Sequence, residues 1–418
     1  MNIAKHTLME VTRRLRGVPS THATLPVLSC IRITRHAGGI RFSATNLEQF
    51  LSVDLPDAPT VGELARKLAT LRAAREAADF CVPSSTLDRC AKAADKGTDI
   101  TITPDPKGGA QITYQQGGIT ANVPAAAPKA DEFPADPAEG YAAGPPTPFD
   151  RVLAAICRAK PCVSYDPTRY VLNGVFWGEN GDIAATDGRR LHMEEHLPAA
   201  PADSIIPTDA LRFIEPGMAA SSLSKPKVKN TTAHPAPALL FTGEIGGLTV
   251  RLVTKVIEGN FPNYRQVIPS EPAKLTCRID NEATRKAILQ AAGNFRHAKP
   301  GHVSLRFDPA ASSLTFSMNV PDVGRSEFTV TAILKGSLPR VRPANAPHIA
   351  FTPQYLADAL LHHDTIHFRD SESPATFTGL KPHHQYILMP MRVMADSTAP
   401  APKPEPAKPE PKPEPVKI

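Results

Sequence analysis

Three stretches of the chain repeat one plan of apolar and polar positions. Each opens with an amphipathic helix, and the first is predicted over Lys5–Val18, where apolar side chains share one face: Leu8, Val11, Leu15 and Val18. A strand then runs through proline towards a second helix, and this step recurs at Phe80–Ser84, Ser204–Thr208 and His348–Pro353. The copies lie roughly 125–146 residues apart, so each repeat is a whole domain.

The repeats predict an α+β fold of three tandem domains, at residues 1–134, 145–269 and 270–394. A helical pattern over Glu63–Ala78 looks inserted into the first domain. The stretch Ala125–Pro148 is rich in Ala, Pro and Gly and is predicted to be a linker. Residues 395–418 alternate Pro, Lys and Glu, so we expect a disordered tail.

Polar and proline residues mark the expected helix starts. Ser84 is predicted to cap the second helix of the first domain. Thr147 is predicted to cap the next helix, with Pro148 at its first position. A short helix carrying Leu211 and Ile214 should follow, before a polar loop over Ala219–Pro237.

The middle of the chain predicts a β-hairpin. Its strands would be Val171–Trp177 and Asp182–Ala185, joined by a turn that contains Asn180-Gly181. The segment Thr186–Leu191 then places a polar turn and two cations beside an apolar side chain. Taken alone, these residues also fit a surface hairpin with solvated arginines.

Composition limits the class of protein. With 418 residues and 41% hydrophobic residues, the chain can build several cores. No apolar run approaches the roughly 20 residues that span a bilayer, and the N-terminus lacks the apolar region of a signal peptide. The six cysteines are scattered, which favours buried thiols in a reducing cytoplasm over disulfides or a zinc site. A net charge of +6 permits a polyanionic partner.

Enzyme motifs are weak. The sequence contains no P-loop, no G-x-S-x-G and no G-x-G-x-x-G. The histidines at 362, 363, 367, 383 and 384 leave a metal-dependent hydrolase open as an alternative, but their spacing matches no standard ligand set. We therefore predict no catalytic residue, no metal and no cofactor.

Three ordered motifs resemble the bacterial sliding clamp, the β subunit of DNA polymerase III. Arg169–Leu191 resembles the family's R-Y-x-L-N-G and A-T-D-G-x-R-L segments. Glu258–Tyr264 resembles its D-G-x-F-P-D-Y segment, and Met389–Arg392 matches its M-P-M-R. The matches extend over more than half of the chain.

The resemblance implies three clamp domains per chain and a head-to-tail homodimeric ring around double-stranded DNA, bound without sequence preference. It also implies a cytoplasmic, non-catalytic protein with no membrane partner. Expected partners are the DNA polymerase III alpha subunit, the clamp loader and other proteins with a clamp-binding motif. A monomeric adaptor on the same fold stays open as an alternative.

The family's partner-peptide cleft maps onto one set of positions in this chain. They are Leu172, Thr186, Gly188, Arg189, Arg190, Leu191, Pro262, Val267, Ile387, Met389, Pro390, Met391 and Arg392. Methionine suits a surface that accepts several peptides, because its thioether is flexible and polarizable. Arg189 stands where the family usually has His, and Gln266 stands where Arg is common, so the partner set is open.

A second set of residues is expected to face DNA. In all three domains the first helix carries cations away from its core stripe, where they could contact phosphates without reading bases. The set is Arg13, Arg16, His22, Arg89, Lys92, Arg151, Arg158, Arg169, Tyr170, Arg285 and Arg296. For any one helix, such cations are equally consistent with a solvated surface.

Overall fold

The computed structural model describes residues 1–20, 24–36, 38–57, 79–224, 235–294, 301–320, 323–338, 349–379, 381 and 383–391. The chain divides into two compact units, Met1–Arg265 and Gln266–Ile418. The predicted Glu63–Ala78 helix and the tail at 395–418 lie outside the described residues. Helices and sheets occur in both units, which confirms the predicted α+β class.

Five α-helices lie in the described part of the chain. They are α1 (Lys5–Leu15), α2 (Ser84–Ala93), α3 (Asp150–Ala159), α4 (Asn281–Gly293) and α5 (Pro353–Ala359). α1 packs on α2 in the first unit, and α4 packs on α5 in the second. None of these helices is long and apolar enough to cross a membrane.

The first unit contains seventeen described strands. They are β1 (Asn2–Ala4), β2 (Cys30–His36), β3 (Gly39–Thr45), β4 (Gln49–Pro56), β5 (Asp79–Pro83), β6 (Asp99–Pro104), β7 (Ala110–Gln116), β8 (Ile119–Ala125), β9 (Ala142–Ala143), β10 (Thr147–Pro148), β11 (Gly174–Trp177), β12 (Ile183–Thr186), β13 (Arg190–Glu194), β14 (Ser204–Pro207), β15 (Ala219–Ser224), β16 (Pro235–Ile245) and β17 (Leu248–Lys255). They form runs in the orders β1-β6-β7-β8, β10-β15-β16-β17-β4-β3-β2-β5 with β9 on β15, and β14-β11-β12-β13.

The second unit contains eight described strands. They are β18 (Leu275–Ile279), β19 (Val303–Asp308), β20 (Ser313–Val320), β21 (Gly324–Gly336), β22 (Ile349–Phe351), β23 (Thr365–Phe368), β24 (Ala375–Thr378) and β25 (His384–Leu388). Their order is β25-β24-β23-β18-β21-β20-β19-β22.

Helices cover one face of each sheet because strand side chains alternate between faces. On β3, Ile40, Phe42 and Ala44 are buried, and the strand contacts α1. α1 packs against the sheet with its apolar face, where Leu8, Val11 and Leu15 are buried.

The first two repeats share one continuous sheet. β17 pairs antiparallel with β4, from Thr249 opposite Asp54 to Thr254 opposite Gln49. A buried cation reinforces this junction: Arg14 on α1 lies 3.0 Å from the Glu215 carboxylate. The junction is therefore held by backbone pairing and by a charge pair.

Several predicted element boundaries are wrong. Residues 171–173 are not strand, because a 3-10 turn at Pro167–Leu172, capped by the Asp166 side chain, precedes β11. Val18 is buried, but α1 ends at Leu15, before the turn at Gly17. The predicted linker is more ordered than expected, because Phe133 is buried against Phe50 with ring centroids 6.2 Å apart.

Two predicted helix starts and one predicted helix are also corrected. Pro83, not Ser84, occupies the N-cap of α2, and no side chain caps that end. Thr147 and Pro148 form the short strand β10, and Phe149 precedes α3. The predicted helix with Leu211 and Ile214 is a 3-10 turn at Ala210–Phe213.

Candidate partner-binding and DNA-facing surfaces

The turn between β12 and β13 has a tightly fixed backbone. The Asp187 carboxylate accepts hydrogen bonds from the backbone N–H groups of Arg189 (2.9 Å) and Arg190 (3.1 Å). The Thr186 hydroxyl accepts from Gly188 N–H at 3.1 Å and donates to the Arg190 carbonyl at 2.7 Å. Gly188 adopts φ +86°, a conformation that favours glycine. This turn chemistry explains the T-D-G segment of the motif.

The two arginines of the turn have different environments. Arg190 donates from Nε to Asp187 at 2.9 Å and also to the Pro161 carbonyl, and its side chain is only 9% exposed. Arg189 is exposed. The Arg190 guanidinium is thus held within the first unit, while Arg189 faces solvent.

A second segment of the first unit lies beside this turn. A Cβ placed on Gly188 would lie 3.0 Å from Nη1 of Arg169. A Cβ on Gly259 would lie 2.9 Å from Cγ1 of Val171, and Gly259 has φ +121°. The R-Y-x-L, T-D-G and E-G-N-F segments therefore meet in the first unit, and the two glycines permit the close approach.

A buried carboxylate holds the residues that end the E-G-N-F segment. Asp182, 3% exposed, accepts hydrogen bonds from the Tyr264 hydroxyl at 2.5 Å and from Arg265. Burial, and next the hydrogen bond to Asp182, raises the pKa of Tyr264 to about 12. Sequence reasoning missed this cluster, because Asp182 lies about 80 positions before its partners and no local pattern marks the pairing.

The second unit contributes an exposed methionine segment after β25. Met389 is 44% exposed and Met391 is 39% exposed. The backbone N–H of Met391 donates to the Ala350 carbonyl at 2.7 Å, and the Thr352 hydroxyl donates to its sulfur at 3.4 Å. The backbone is therefore anchored while both thioethers remain accessible.

The predicted cleft residues divide by exposure. Leu172, Leu191 and Ile387 are buried, whereas Gly188, Arg189, Pro262, Val267, Met389 and Met391 are exposed. Thr186, Arg190 and Pro390 are intermediate, and Arg392 lies outside the described residues. Three of the predicted apolar pocket residues thus belong to the core. The assignment of the whole set to one cleft stays a prediction.

Most described members of the predicted DNA-facing set are exposed. Arg13, Arg16, Lys92, Arg169 and Tyr170 are each more than half exposed, and Arg89 and Arg151 are exposed as well. Arg285 is partly buried, while His22 and Arg296 lie outside the described residues. Several of the exposed cations have carboxylate neighbours, such as Asp88 beside Arg16 at 2.9 Å.

Arg158 differs from the other members of the predicted DNA-facing set because its side chain is mostly buried. It donates from Nε and Nη2 to both carboxylate oxygens of Glu194, at 2.6 and 2.8 Å, and its side chain is 18% exposed. The neighbouring His192 lies 3.3 Å from the same carboxylate, and burial lowers its pKa. Arg158 is therefore neutralised inside the first unit and is removed from the DNA-facing set.

Replacing Arg158 by Met should lower the free energy of unfolding by about 3–5 kcal/mol, because the buried Glu194 carboxylate loses its guanidinium. His192 is a poor substitute cation at neutral pH, since its pKa is lowered. Arg151→Met, on the exposed face of the same helix, should change stability by less than about 0.5 kcal/mol. Urea unfolding of both variants measures the difference, and equal losses would contradict this assignment.

The histidines of the second unit are involved in packing. The rings of His363 and His384 lie 4.3 Å apart, and both residues are buried. His367 lies between two hydroxyls, with Nδ1 3.3 Å from Thr276 Oγ1 and Nε2 2.8 Å from Thr378 Oγ1. These contacts account for His363, His367 and His384 by packing and hydrogen bonding within the second unit.

No family model matches the chain. Similar proteins are nevertheless found. The beta sliding clamp of Caulobacter vibrioides (strain NA1000 / CB15N) is 25% identical over 423 residues, covering 94% of this chain and 100% of that protein. The beta sliding clamp of Bacillus subtilis (strain 168) is 24% identical over 373 residues, covering 86% and 89%.

Solved structures show the same likeness in fold. The DNA polymerase sliding clamp from Caulobacter crescentus has a TM-score of 0.71 at 22% identity, and that from Bacillus subtilis has 0.74 at 20%. Each alignment covers 94% of this chain and 99% of the other. The chain is similar to bacterial beta sliding clamps over most of its length and has the fold of their solved structures.

Proposed function

We propose that this protein is a DNA sliding clamp. Two copies close head to tail into a ring around duplex DNA, and the ring tethers a replicative polymerase and other partners. The observation that carries the proposal is the similarity to beta sliding clamps over 94% of this chain, with no part of the Caulobacter relative left uncovered.

The strand order of the first unit supports ring closure. β8 and β17 occupy equivalent places in the first two repeats, since each follows a Gly-Gly hairpin turn, at Gly117-Gly118 and Gly246-Gly247. β17 pairs with β4 of the preceding repeat, but β8 lies at the edge of its sheet among the described strands. We expect a second copy to supply its partner strand.

Exposure of equivalent side chains supports the same joint. Leu248 at the start of β17 is 3% exposed, whereas Ile119 at the start of β8 is 73% exposed. The counterpart of β4 in the third repeat is the Gly324–Thr331 part of β21, which follows β20 as β4 follows β3. We expect β8 of one copy to pair with this strand of the other.

DNA would be held through phosphates. The exposed cations are Arg13 on α1, Arg16 directly after it, Arg89 and Lys92 on α2 and Arg151 on α3. They provide charge without base-reading geometry. Phosphate contacts are salt-sensitive and independent of sequence, as a sliding protein requires. Carboxylates lie near several of these cations and would weaken the attraction.

Partners would dock through the predicted cleft. Among the predicted cleft residues, Val267, Met389 and Met391 of the second unit are exposed apolar side chains. Gly188 and Arg189 are exposed in the polar turn of the first unit. The expected ligands are short segments of the DNA polymerase III alpha subunit, of the clamp loader and of other proteins with a clamp-binding motif.

The mass in solution tests the ring. Light scattering at micromolar concentration should give twice the 44.9 kDa of one chain. A monomer over the whole concentration range would contradict the ring and favour a non-encircling adaptor on the same fold.

A further inference from the structure

We propose that a cavity in the first unit binds a nucleotide. The cavity has a volume of about 500 Å³ and lies between one face of the β2-β3-β4-β17 sheet and residues 130–139. Small-molecule pockets have volumes of about 300–1,000 Å³, so a nucleotide can be accommodated. Every residue that lines the cavity belongs to the first unit, and the proposal does not depend on the clamp function.

One wall of the cavity carries a row of polar side chains across four strands. Arg32 on β2 lies opposite Ser43 on β3. Ser43 lies opposite Ser52 on β4, and Ser52 lies opposite Arg251 on β17. Residues directly opposite one another in an antiparallel sheet share a face, so the row reads Arg-Ser-Ser-Arg. Arg41, two residues before Ser43 on β3, adds a third guanidinium to the cavity wall.

The two serines of this row are buried without hydrogen-bond partners. Ser43 is 4% exposed and lines the cavity, and Ser52 is 1% exposed. Among the described residues, no hydrogen bond engages either hydroxyl, and the Ser52 oxygen is fully shielded from solvent. A buried hydroxyl without a partner is unfavourable, so a ligand oxygen that accepts from these groups would be stabilised.

The guanidiniums are held in place but keep donors for a ligand. Arg32 donates from Nε and Nη2 to the Asp79 carboxylate, at 2.7 and 2.6 Å. Arg41 donates in the same way to Asp54, at 2.6 and 2.8 Å. Each ion pair uses two of the five N–H donors of a guanidinium. Because phosphate oxygens accept several such hydrogen bonds at once, the remaining donors favour a phosphate group.

The opposite wall adds aromatic surface. Phe133 and Phe50 both line the cavity, with ring centroids 6.2 Å apart. The guanidinium carbon of Arg32 lies 6.0 Å from the centre of the Phe133 ring. Nucleic-acid bases stack on aromatic rings and on guanidinium planes, so this wall favours a planar heteroaromatic ring.

Carboxylates on residues 130–139 set the orientation of the ligand. Asp136 accepts a hydrogen bond from Arg251, while Asp131 and Glu139 are exposed where they line the cavity. These two carboxylates repel phosphate, but they can accept hydrogen bonds from the amino group of a base. The arrangement thus places phosphate beside the sheet and an amino-bearing base, adenine or cytosine, beside residues 130–139.

Calorimetric titration of the full chain with ADP, without magnesium and at physiological salt, tests the proposal. ADP should bind at one saturable site per chain. Adenosine and pyrophosphate each carry one half of the recognised chemistry, so each should bind about tenfold more weakly or less. Equal affinity for pyrophosphate and ADP would overturn the assignment to a nucleotide, and no binding of ADP would overturn the site itself.

Two substitutions locate the ligand. Arg41→Gln should lower the ADP affinity about tenfold or more, because a charge-assisted hydrogen bond is lost. Ser43→Ala should lower it about threefold to tenfold and leave the melting temperature unchanged, since the hydroxyl has no protein partner to lose. Ser43→Ala therefore keeps the test valid if the unpaired Asp54 destabilises Arg41→Gln.

Matched controls lie outside the cavity. Arg151→Gln changes an exposed arginine on α3, and Ser304→Ala changes a strand serine of the second unit. Both should bind ADP like the unmodified protein. If Arg41→Gln and Ser43→Ala also keep full affinity, ADP binds elsewhere and the inference is wrong.

Discussion

Ile119→Lys should turn the dimer into monomers at micromolar concentration. Ile119 starts the edge strand β8 and is 73% exposed in the single chain, whereas its equivalent Leu248 is 3% exposed. A lysine there would place a charge where the ring joint excludes water. Losing one central anchor of an interface costs about 2–4 kcal/mol, or roughly 30- to 700-fold in affinity per joint.

A ring of two chains has two identical joints, so the substitution acts twice. Thr120→Lys is the matched control, because Thr120 follows Ile119 on the same strand and points to the opposite sheet face. Sedimentation at several concentrations measures both variants. If Ile119→Lys remains dimeric wherever the unmodified protein does, β8 is not the joint.

Met391→Ala should weaken binding of a clamp-binding peptide about tenfold or more. The methionine is 39% exposed, and its backbone is anchored by the Ala350 carbonyl, so the side chain forms a fixed apolar contact surface. Truncating a central apolar anchor costs about 1–3 kcal/mol, and each 1.4 kcal/mol is a factor of ten.

Met9→Ala is the control for that change, since Met9 has the same 39% exposure but lies on α1. Anisotropy with a labelled peptide should detect loss only in Met391→Ala, and both variants should remain dimeric by size-exclusion chromatography. Leu191→Ala is a poorer test, because Leu191 is 2% exposed and its truncation would also create a core cavity. Wild-type affinity in Met391→Ala would place the cleft elsewhere.

Local pattern predicted the five described α-helices and the class of fold. α1 was predictable because Leu8, Val11 and Leu15 repeat at helical spacing and are all buried. Helix starts were less predictable, because a hydroxyl or proline near a start does not decide which residue caps it. Thr147 and Pro148 pair with Ala220 and Ala219 of β15, and this tertiary pairing overrides the local helix signal.

The surfaces were harder to predict from the sequence, because identical side chains acquire different roles from distant partners. Arg151 and Arg158 lie seven residues apart on α3, but only Arg158 meets the buried Glu194 carried by β13. Arg189 and Arg190 are adjacent, yet only Arg190 reaches the Pro161 carbonyl. Burial also distinguishes Met389 and Met391, which are exposed, from Leu191, which belongs to the core.

Retention on DNA of different topology tests the central claim most directly. The protein is assembled on nicked circular duplex by a clamp loader from the same source and ATP, and free protein is removed by gel filtration. A ring that encircles DNA should stay on the circle and be lost when a restriction enzyme linearises it, whatever the base sequence. Equal retention on circular and linear DNA, or a clear sequence preference, would contradict the sliding-clamp account.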